Sequence, residues 1–317
     1  MKYEPLRENA SSEKIVVKEN MFGLKDDFFY NKTVNGSLII NEIPTDISKY
    51  YPTNYYSFNQ NLKPSKVLNF FKKKRNKFSF ERKGLVGGIM HYFKPEKVLD
   101  SIHDVTIFKK TSKILDVGCG DGRLLSNLYD LGYKNIKGID PFLKVAHHKE
   151  FPIEKKSIYE LDEKFDIIIL YHVFEHVDQP EMALQQLKKL LNDNGVLIIA
   201  IPLADSYAFE KYQENWVQLD APRHFYLYSS KDIVNLTRTF GLSLKKVVYN
   251  SDEFQFWGSE QYKAGISLFD VKSYLNDKNN SIFKKSDIKS FKKQSKKLNR
   301  EEKGDQAVFF FKNEASI

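Results

Sequence analysis

Residues 113–125 constrain this chain more than any other stretch: Lys113-Ile114-Leu115-Asp116-Val117-Gly118-Cys119-Gly120-Asp121-Gly122-Arg123-Leu124-Leu125. An apolar run of β type ends on an acid, glycines follow at alternate positions, and a helical apolar pattern then begins. The order is strand, tight turn and helix, in which backbone can approach a nucleotide closely and a helix N-terminus faces it. Gly118 and Gly120 let the turn fold with no Cβ against a ligand, and Gly122 lets the helix start close to the strand. The dinucleotide fingerprint puts its third glycine where Arg123 stands, so a nicotinamide cofactor fits poorly.

The following residues repeat the strand-and-helix alternation. Residues 136–139 form a second strand that ends on Asp140-Pro141, and Asp140 stands 18 residues beyond Gly122. That is close to the spacing at which a carboxylate accepts hydrogen bonds from ribose hydroxyls in doubly wound folds. A short third strand is expected over 153–157, which places Ser157 and Ile158 beside a base. Residues 165–170 are continuously apolar, as in a buried parallel strand, and lead into Tyr171-His172-Val173-Phe174-Glu175-His176-Val177. A helix from Pro180 to Leu191, a fifth strand over 196–201 stopping at Pro202, a helix capped at Ser229-Ser230, a sixth strand over 242–249 and an antiparallel last strand over 306–311 complete the pattern. These units predict an α/β fold, a doubly wound, mostly parallel seven-stranded sheet with its ligand crevice at the strand C-termini. Asp116, Asp140, Ser157, His172 and Pro202 all fall at those ends.

Three regions follow from composition and punctuation. Residues 1–62 are polar and aromatic with short β-like pieces at 14–17 and 37–40, then a tyrosine-rich turn and short helix near 43–52. Residues 63–110 are basic: Lys66, Lys72, Lys73, Lys74, Arg75 and Lys77 interleave with Val67, Leu68, Phe70, Phe71 and Phe78. Either this helix docks its aromatic face on the domain, the favoured reading, or it lies on an anionic membrane surface through 66–78. Gly84 to Gly88 is expected to break it before a helix over 94–108. Residues 111–317 hold the sheet, with an insertion at 250–304 whose aromatic half could cover an acceptor pocket and whose basic half reads as a solvated helical face.

The net charge of +9 leaves nucleic acid, anionic membranes and phosphorylated ligands open, but the basic residues are not arranged as a recognition module, so no nucleic-acid partner is expected. No apolar run approaches a membrane span and the N-terminus lacks a signal-peptide core, which predicts a cytoplasmic protein, with peripheral contact at the inner membrane surface left open. The single cysteine, Cys119, excludes a disulfide framework and, inside the glycine turn, reads as a small filler rather than a nucleophile.

Taken together, Ile-Leu-Asp-Val-Gly-Cys-Gly-Asp-Gly, Gly-Ile-Asp-Pro, Phe-Asp-Ile-Ile-Ile-Leu-Tyr-His-Val-Phe-Glu-His-Val and Gly-Val-Leu-Ile-Ile-Ala-Ile-Pro resemble the class I S-adenosylmethionine-dependent methyltransferases from about residue 112 to 311. The subgroup it looks most like is that of bacterial polysaccharide and sugar-pathway methyltransferases, through Trp216-Val217-Gln218-Leu219-Asp220-Ala221-Pro222-Arg223-His224-Phe225. The resemblance implies S-adenosylmethionine as cofactor. Asp116, Gly118, Cys119 and Gly120 would surround its methionine and ribose, Asp140 and Pro141 its ribose, and Ser157 and Ile158 its adenine; Tyr171 and His172 would line the transfer cavity. It implies O-methylation of a sugar or glycan-related small molecule; other acceptors (lipid-linked, C- or N-nucleophile) and a non-catalytic cofactor-binding protein are the alternatives.

Methyl transfer to a hydroxyl needs alignment, exclusion of water and removal of a proton. Three histidines, His172, His176 and His224, compete for the role of proton acceptor. His224, beside Arg223 and Trp216 in a loop suited to a sugar, is the leading base, with Arg223 orienting it or binding an anion. No metal is expected, because strand four ends in Tyr171-His172 and lacks the acids of metal-dependent catechol-type enzymes. The subgroup often carries a Cys-rich, zinc-ribbon-like N-terminus; residues 1–62 have no cysteine, so such a module would be degenerate and held by hydrophobic contacts.

Overall fold

The computed structural model describes residues 7, 10–51, 66–104, 106–143 and 148–314. The chain opens with an antiparallel meander of β1 (Ala10–Lys18), β2 (Asp27–Thr33) and β3 (Leu38–Ile40). The sequence signals β1 and β3; β2 mixes Asp27, Asn31 and Lys32 with its aromatics, which hides its alternation. The fourth strand of this small sheet is Tyr226–Leu227, far along the chain, paired with β3. A 3-10 turn over Ile47–Tyr50 follows the meander.

The meander is therefore fastened onto the larger domain. Tyr30, Leu38, Ile39 and Ile40 are buried in the main apolar cluster. Hydrophobic contact is only part of the attachment, however: Thr33 Oγ1 and Ser37 Oγ donate to Asp232 Oδ2 at 2.8 and 2.5 Å, and Asn35 Nδ2 donates to Asp232 Oδ1 at 2.7 Å.

Next come α1 (Lys66–Glu81), α2 (Leu85–Phe93) and α3 (Lys97–Ser101). Residues 63–65 of the expected basic segment lie outside the described residues. Gly84, at φ +99°, breaks the chain as expected, but Gly87 and Gly88 lie inside α2. A Cβ on Gly87 would stand 2.2 Å from the Lys74 carbonyl oxygen, and one on Gly88 3.0 Å from the Phe78 ring. These glycines thus bring α2 into contact with α1. The expected helix over 94–108 stops at Ser101, because Asp104 takes the Thr106 amide and hydroxyl onto its own carboxylate, a local bond that competes with helix.

The main sheet uses β4 (Ile114–Val117), β5 (Ile136–Ile139), β6 (Ile153–Glu154), β7 (Phe165–Tyr171), β8 (Leu191–Pro202), β10 (Leu242–Tyr249) and β11 (Gln306–Asn313), with Tyr226–Leu227 as β9 of the smaller sheet. Its order is β10-β11-β8-β7-β4-β5-β6, and β11 alone runs antiparallel to its neighbours β8 and β10. The seven-stranded α/β sheet with an antiparallel last strand is the one the sequence predicts.

Helices α4 (Arg123–Asp130), α5 (Pro180–Leu190), α6 (Tyr207–Tyr212) and α7 (Ser230–Thr239) connect the strands. The central strand β7 shows why the sheet sits inside: Ile168 and Leu170 enter the apolar cluster on one face, Ile167 and Ile169 that on the other. Full burial of side chains of this size stabilises by roughly 1.5–3 kcal/mol each.

The insertion forms α8 (Phe254–Lys263) and α9 (Lys285–Arg300). Its aromatic half is packed: Trp257 and Tyr262 share a buried cluster with Met21, Val217 and Ile288, and Phe22 stacks on Phe269 at 4.9 Å. The basic half is a solvated face, as expected, with Ile288, Ser295 and Leu298 turned inward. Among the described residues no helix is long and apolar enough to cross a membrane.

Candidate active site

The glycine turn joins β4 to α4. Gly118, Gly120 and Gly122 have φ of +68°, +51° and +73°, a region that side-chain-bearing residues avoid. Two of them are also closed to a Cβ by the protein: one on Gly118 would meet Val173 Cγ2 at 2.5 Å, and one on Gly122 would meet Ile153 Cδ1 at 2.4 Å. Gly138 in β5 has the same need, with Cys119 Sγ and Leu125 Cδ1 each 2.7 Å from the place of its Cβ. Nothing in the local pattern marks Gly138, because its reason lies across the sheet. Burial pushes the Cys119 thiol up, in keeping with a filler.

Two carboxyls meet at this turn. Asp140 Oδ2 accepts from the Gly120 amide at 3.2 Å and Oδ1 from the Phe142 amide at 2.8 Å, so the end of β5 and the turn hold one another. Asp116 is 4% exposed, and no donor among the described residues reaches it. Burial, then the nearby Asp140, pushes its carboxyl up to about 8. A buried carboxyl without a protein partner among the described residues is suited to a cationic ammonium group. Pro141 and Phe142 are exposed next to it, Phe142 at 76%. This free aromatic ring at the rim of the crevice escapes motif reading.

Ser157 and Ile158 lie just past β6, as expected. Ser157 caps the short 3-10 helix Ile158–Glu160, its amide and hydroxyl both donating to Glu160 Oε1 at 2.8 and 3.0 Å, and the Ile158 carbonyl accepts from Gln186. Their side of the crevice is thus shaped by a capping box.

At the end of β7 the Tyr171 hydroxyl sits 3.2 Å from Ser101 Oγ and accepts from Asn250 Nδ2 at 2.9 Å. It ties α3 and the end of β10 over the strand termini, and burial pushes it up to about 12. His172 follows with φ +54°, a left-handed conformation uncommon for a residue with a side chain and typical of sites under functional constraint.

Glu175 is the hub that sequence reading missed. It is fully buried, yet His172 Nδ1 is 3.2 Å from its Oε1, His224 Nε2 is 4.0 Å from the same oxygen, and its Oε2 has no hydrogen-bond partner. Burial opposes its charge, but the His172 hydrogen bond and the neighbouring His176 and His224 outweigh that and hold it below the usual carboxylate range. An acid in an apolar run, flanked by histidines at 172 and 176, is the signal that could have marked it.

The hydrogen bonds orient each histidine. Carbonyl oxygens only accept, so His176 Nδ1 donates to the Arg223 carbonyl at 2.8 Å and His224 Nδ1 donates to that of Gln218 at 2.8 Å. Their Nε2 atoms are left as the basic nitrogens. Ligand atoms of Glu175, His176 and His224 lie within 4.8 Å of one another, a set that could hold a divalent cation. His224 itself is 6% exposed, and burial followed by the proximity of His176 pushes it down to about 4.

Arg223 and Trp216, expected to face an acceptor, are completely buried. The Arg223 guanidinium donates to Asp220 Oδ1 at 2.7 and 3.0 Å, to Glu19 Oε1 at 2.9 Å and to the Tyr50 carbonyl at 3.0 Å. Trp216 Nε1 donates to Asp305 Oδ2 at 3.1 Å. Arg223 thus orients its own loop from inside, and an anion finds no face of it open.

A family profile described as a methyltransferase domain matches residues 90–247. That stretch belongs to the class I S-adenosylmethionine-dependent methyltransferases, so the chain carries an enzyme domain of this class, whose cofactor is S-adenosylmethionine. The ubiquinone biosynthesis O-methyltransferase of Pelagibacter ubique is 27% identical, covering 44% of this chain and 64% of its own length. The mitochondrial enzyme of the same name from Saccharomyces cerevisiae is 27% identical over 58% of this chain and 61% of its own length. The chain thus spans less than two thirds of these relatives. A possible histamine N-methyltransferase from Thermotoga maritima superposes with TM-score 0.45 at 17% identity, covering 78% of this chain and 97% of that one.

Proposed function

We propose that this chain is an O-methyltransferase in which His172, backed by Glu175, takes the proton of the acceptor hydroxyl. The observation that supports it is the buried Glu175 carboxylate on His172 Nδ1 at the end of β7. A carboxylate only accepts, so Nδ1 carries the ring proton and Nε2 is basic, the arrangement of an oriented general base. The His172 side chain is 33% exposed and His224 only 7%, so the ring able to meet an acceptor is His172, and His224 serves as support.

Asp116, Asp140 and the glycine turn would hold the cofactor, Asp116 through the ammonium group and Asp140 through the ribose. S-adenosylmethionine supplies an electrophilic sulfonium methyl. As the acceptor oxygen is methylated, His172 Nε2 would take up its proton, with Glu175 on Nδ1 holding the imidazolium that forms. The protein's part is alignment and the exclusion of water.

A sugar acceptor rested on Trp216 and Arg223, both of which are buried. O-methylation in ubiquinone biosynthesis is what the names of the curated relatives record, and an acceptor of that kind is the first to test. A radiolabelled methyl donor, offered with hydroxylated aromatic lipids, nucleotide-activated sugars and lipid-linked sugars, separates these readings. Label in none of them, while S-adenosylhomocysteine binds in a calorimeter, would leave a cofactor-binding protein and overturn the enzymatic reading.

A further inference from the structure

We propose that α1 and α2 form an amphipathic hairpin that docks on an anionic lipid surface next to the crevice. On α2, Leu85, Ile89, Tyr92 and Phe93 are 90%, 64%, 82% and 80% exposed. Their spacing of four, seven and eight residues from Leu85 puts them on one side of the helix. The opposite side is consumed by the close approach to α1, where Gly87 and Gly88 meet Lys74 and Phe78 and the His91 ring lies 2.9 Å from Ser79 Oγ. The packing of α2 therefore turns its apolar residues outward. Val67 and Phe70 of α1 extend the patch at 66% and 55% exposure.

A face this apolar left open to water marks an interaction site. Charge selects the occupant. Residues 66–95 hold nine basic side chains and one acid, Glu81. Lys73 and Arg82 are paired with Asp130 and Asp100, whereas Lys72, Lys77, Lys83 and Lys94 have no carboxylate partner among the described residues. A second copy of the hairpin would bring two cationic arrays together, which repel; an anionic bilayer accepts both the cations and the apolar face.

The position connects docking to chemistry. A three-residue link joins α2 to α3, whose Lys97 pairs with Asp252 and whose Ser101 Oγ stands 3.2 Å from the Tyr171 hydroxyl at the end of β7. A bilayer beneath the hairpin would therefore lie beside the strand ends where an acceptor enters. The inference stands apart from the proposed reaction, since binding to lipid needs no turnover.

The test is co-sedimentation of the full chain with phosphatidylcholine vesicles, with and without one third phosphatidylglycerol, at low and high salt. We expect binding only to the anionic vesicles, weakened by salt. Ile89→Asp with Tyr92→Asp, and separately Lys72→Glu with Lys77→Glu, should each weaken partition by about tenfold or more. Both pairs are at the surface, and unchanged thermal melting with unchanged S-adenosylhomocysteine affinity shows that the fold has survived. Absence of binding, or binding that neither pair weakens, overturns the proposal. So does a dimer in sedimentation velocity that the apolar pair converts to monomer while vesicle binding stays the same, since the patch would then belong to a second copy of the chain.

Discussion

Arg223 and Glu19 are 204 positions apart in the chain and 2.9 Å apart in the fold, both completely buried. Asp220 shares the guanidinium, so one cation joins the first strand connection of the meander to the loop that carries His224. Burial alone would lower the Arg223 value, but Asp220 and Glu19 raise it, so the charge stays. Removing one member strands a buried charge, a loss of about 3–5 kcal/mol. Arg223→Ala should show this in urea unfolding. Arg223→Lys should recover only part of it, because an ammonium cannot reproduce the guanidinium's bonds to Asp220, Glu19 and Tyr50. Wild-type stability in Arg223→Ala would mean that the meander is not fastened through this pair.

Gly118 is held by its conformation and by Val173. Gly118→Ala should cost about 1–2 kcal/mol from the left-handed backbone alone, with the 2.5 Å approach to Val173 Cγ2 adding to it. We expect S-adenosylhomocysteine affinity in the calorimeter to fall at least tenfold. Adding Val173→Ala should return part of the loss and leave the backbone share. If the double variant binds no better than the single, the contact with Val173 is not what excludes a side chain.

The fold was legible because β4, β5, β7 and β8 are mostly apolar runs that end at an acid, a histidine or a proline, and α4, α5 and α7 each bury one apolar face. The turn and Asp116, Asp140 and His172 were legible at the ends of those runs. What sequence could not show depends on partners distant in the chain. Arg223 and Trp216 look like ligand-binding residues until Glu19 and Asp305 are seen beside them, 204 and 89 positions away. Glu175 looks like one acid in a loop until residues 172, 176 and 224 surround it. Gly87 and Gly88 read as a break until the α1 backbone is found against them, since glycine signals both a turn and a close helix contact.

Glu175 and His172 are expected to act as one unit. His172→Ala should lower kcat by about 10²–10⁴-fold, the usual worth of a positioned base, with S-adenosylhomocysteine affinity unchanged. Glu175→Gln keeps the shape but removes the charge behind the ring. It should lower kcat as well, because the ring loses the carboxylate that keeps Nδ1 protonated and Nε2 turned to the acceptor. His224→Ala is expected to reduce stability more than it reduces turnover. A full loss of turnover in His224→Ala beside a nearly normal His172→Ala would return the base to His224.

Asp116 gives a pH signature with a definite sign. Its carboxyl has an ordinary value of 3.8 and is pushed up to about 8 by burial and then by Asp140. Because the folded value is the higher one, the unfolded chain ionises first, and this group lowers the stability of the cofactor-free protein as pH rises from about 4 to about 8. Asp116→Asn, which cannot ionise, should therefore unfold at higher urea than wild type at pH 8, by on the order of 1–3 kcal/mol. The two should converge as pH falls toward 4. Cofactor binding should reverse the order: an ammonium beside Asp116 favours the ionised carboxylate, so with saturating S-adenosylhomocysteine the wild type gains more stability at pH 8 than the variant. If Asp116→Asn instead gains as much from the ligand as wild type, Asp116 does not hold the ammonium, and the carboxyl at the head of the glycine turn shapes the turn without binding through its charge.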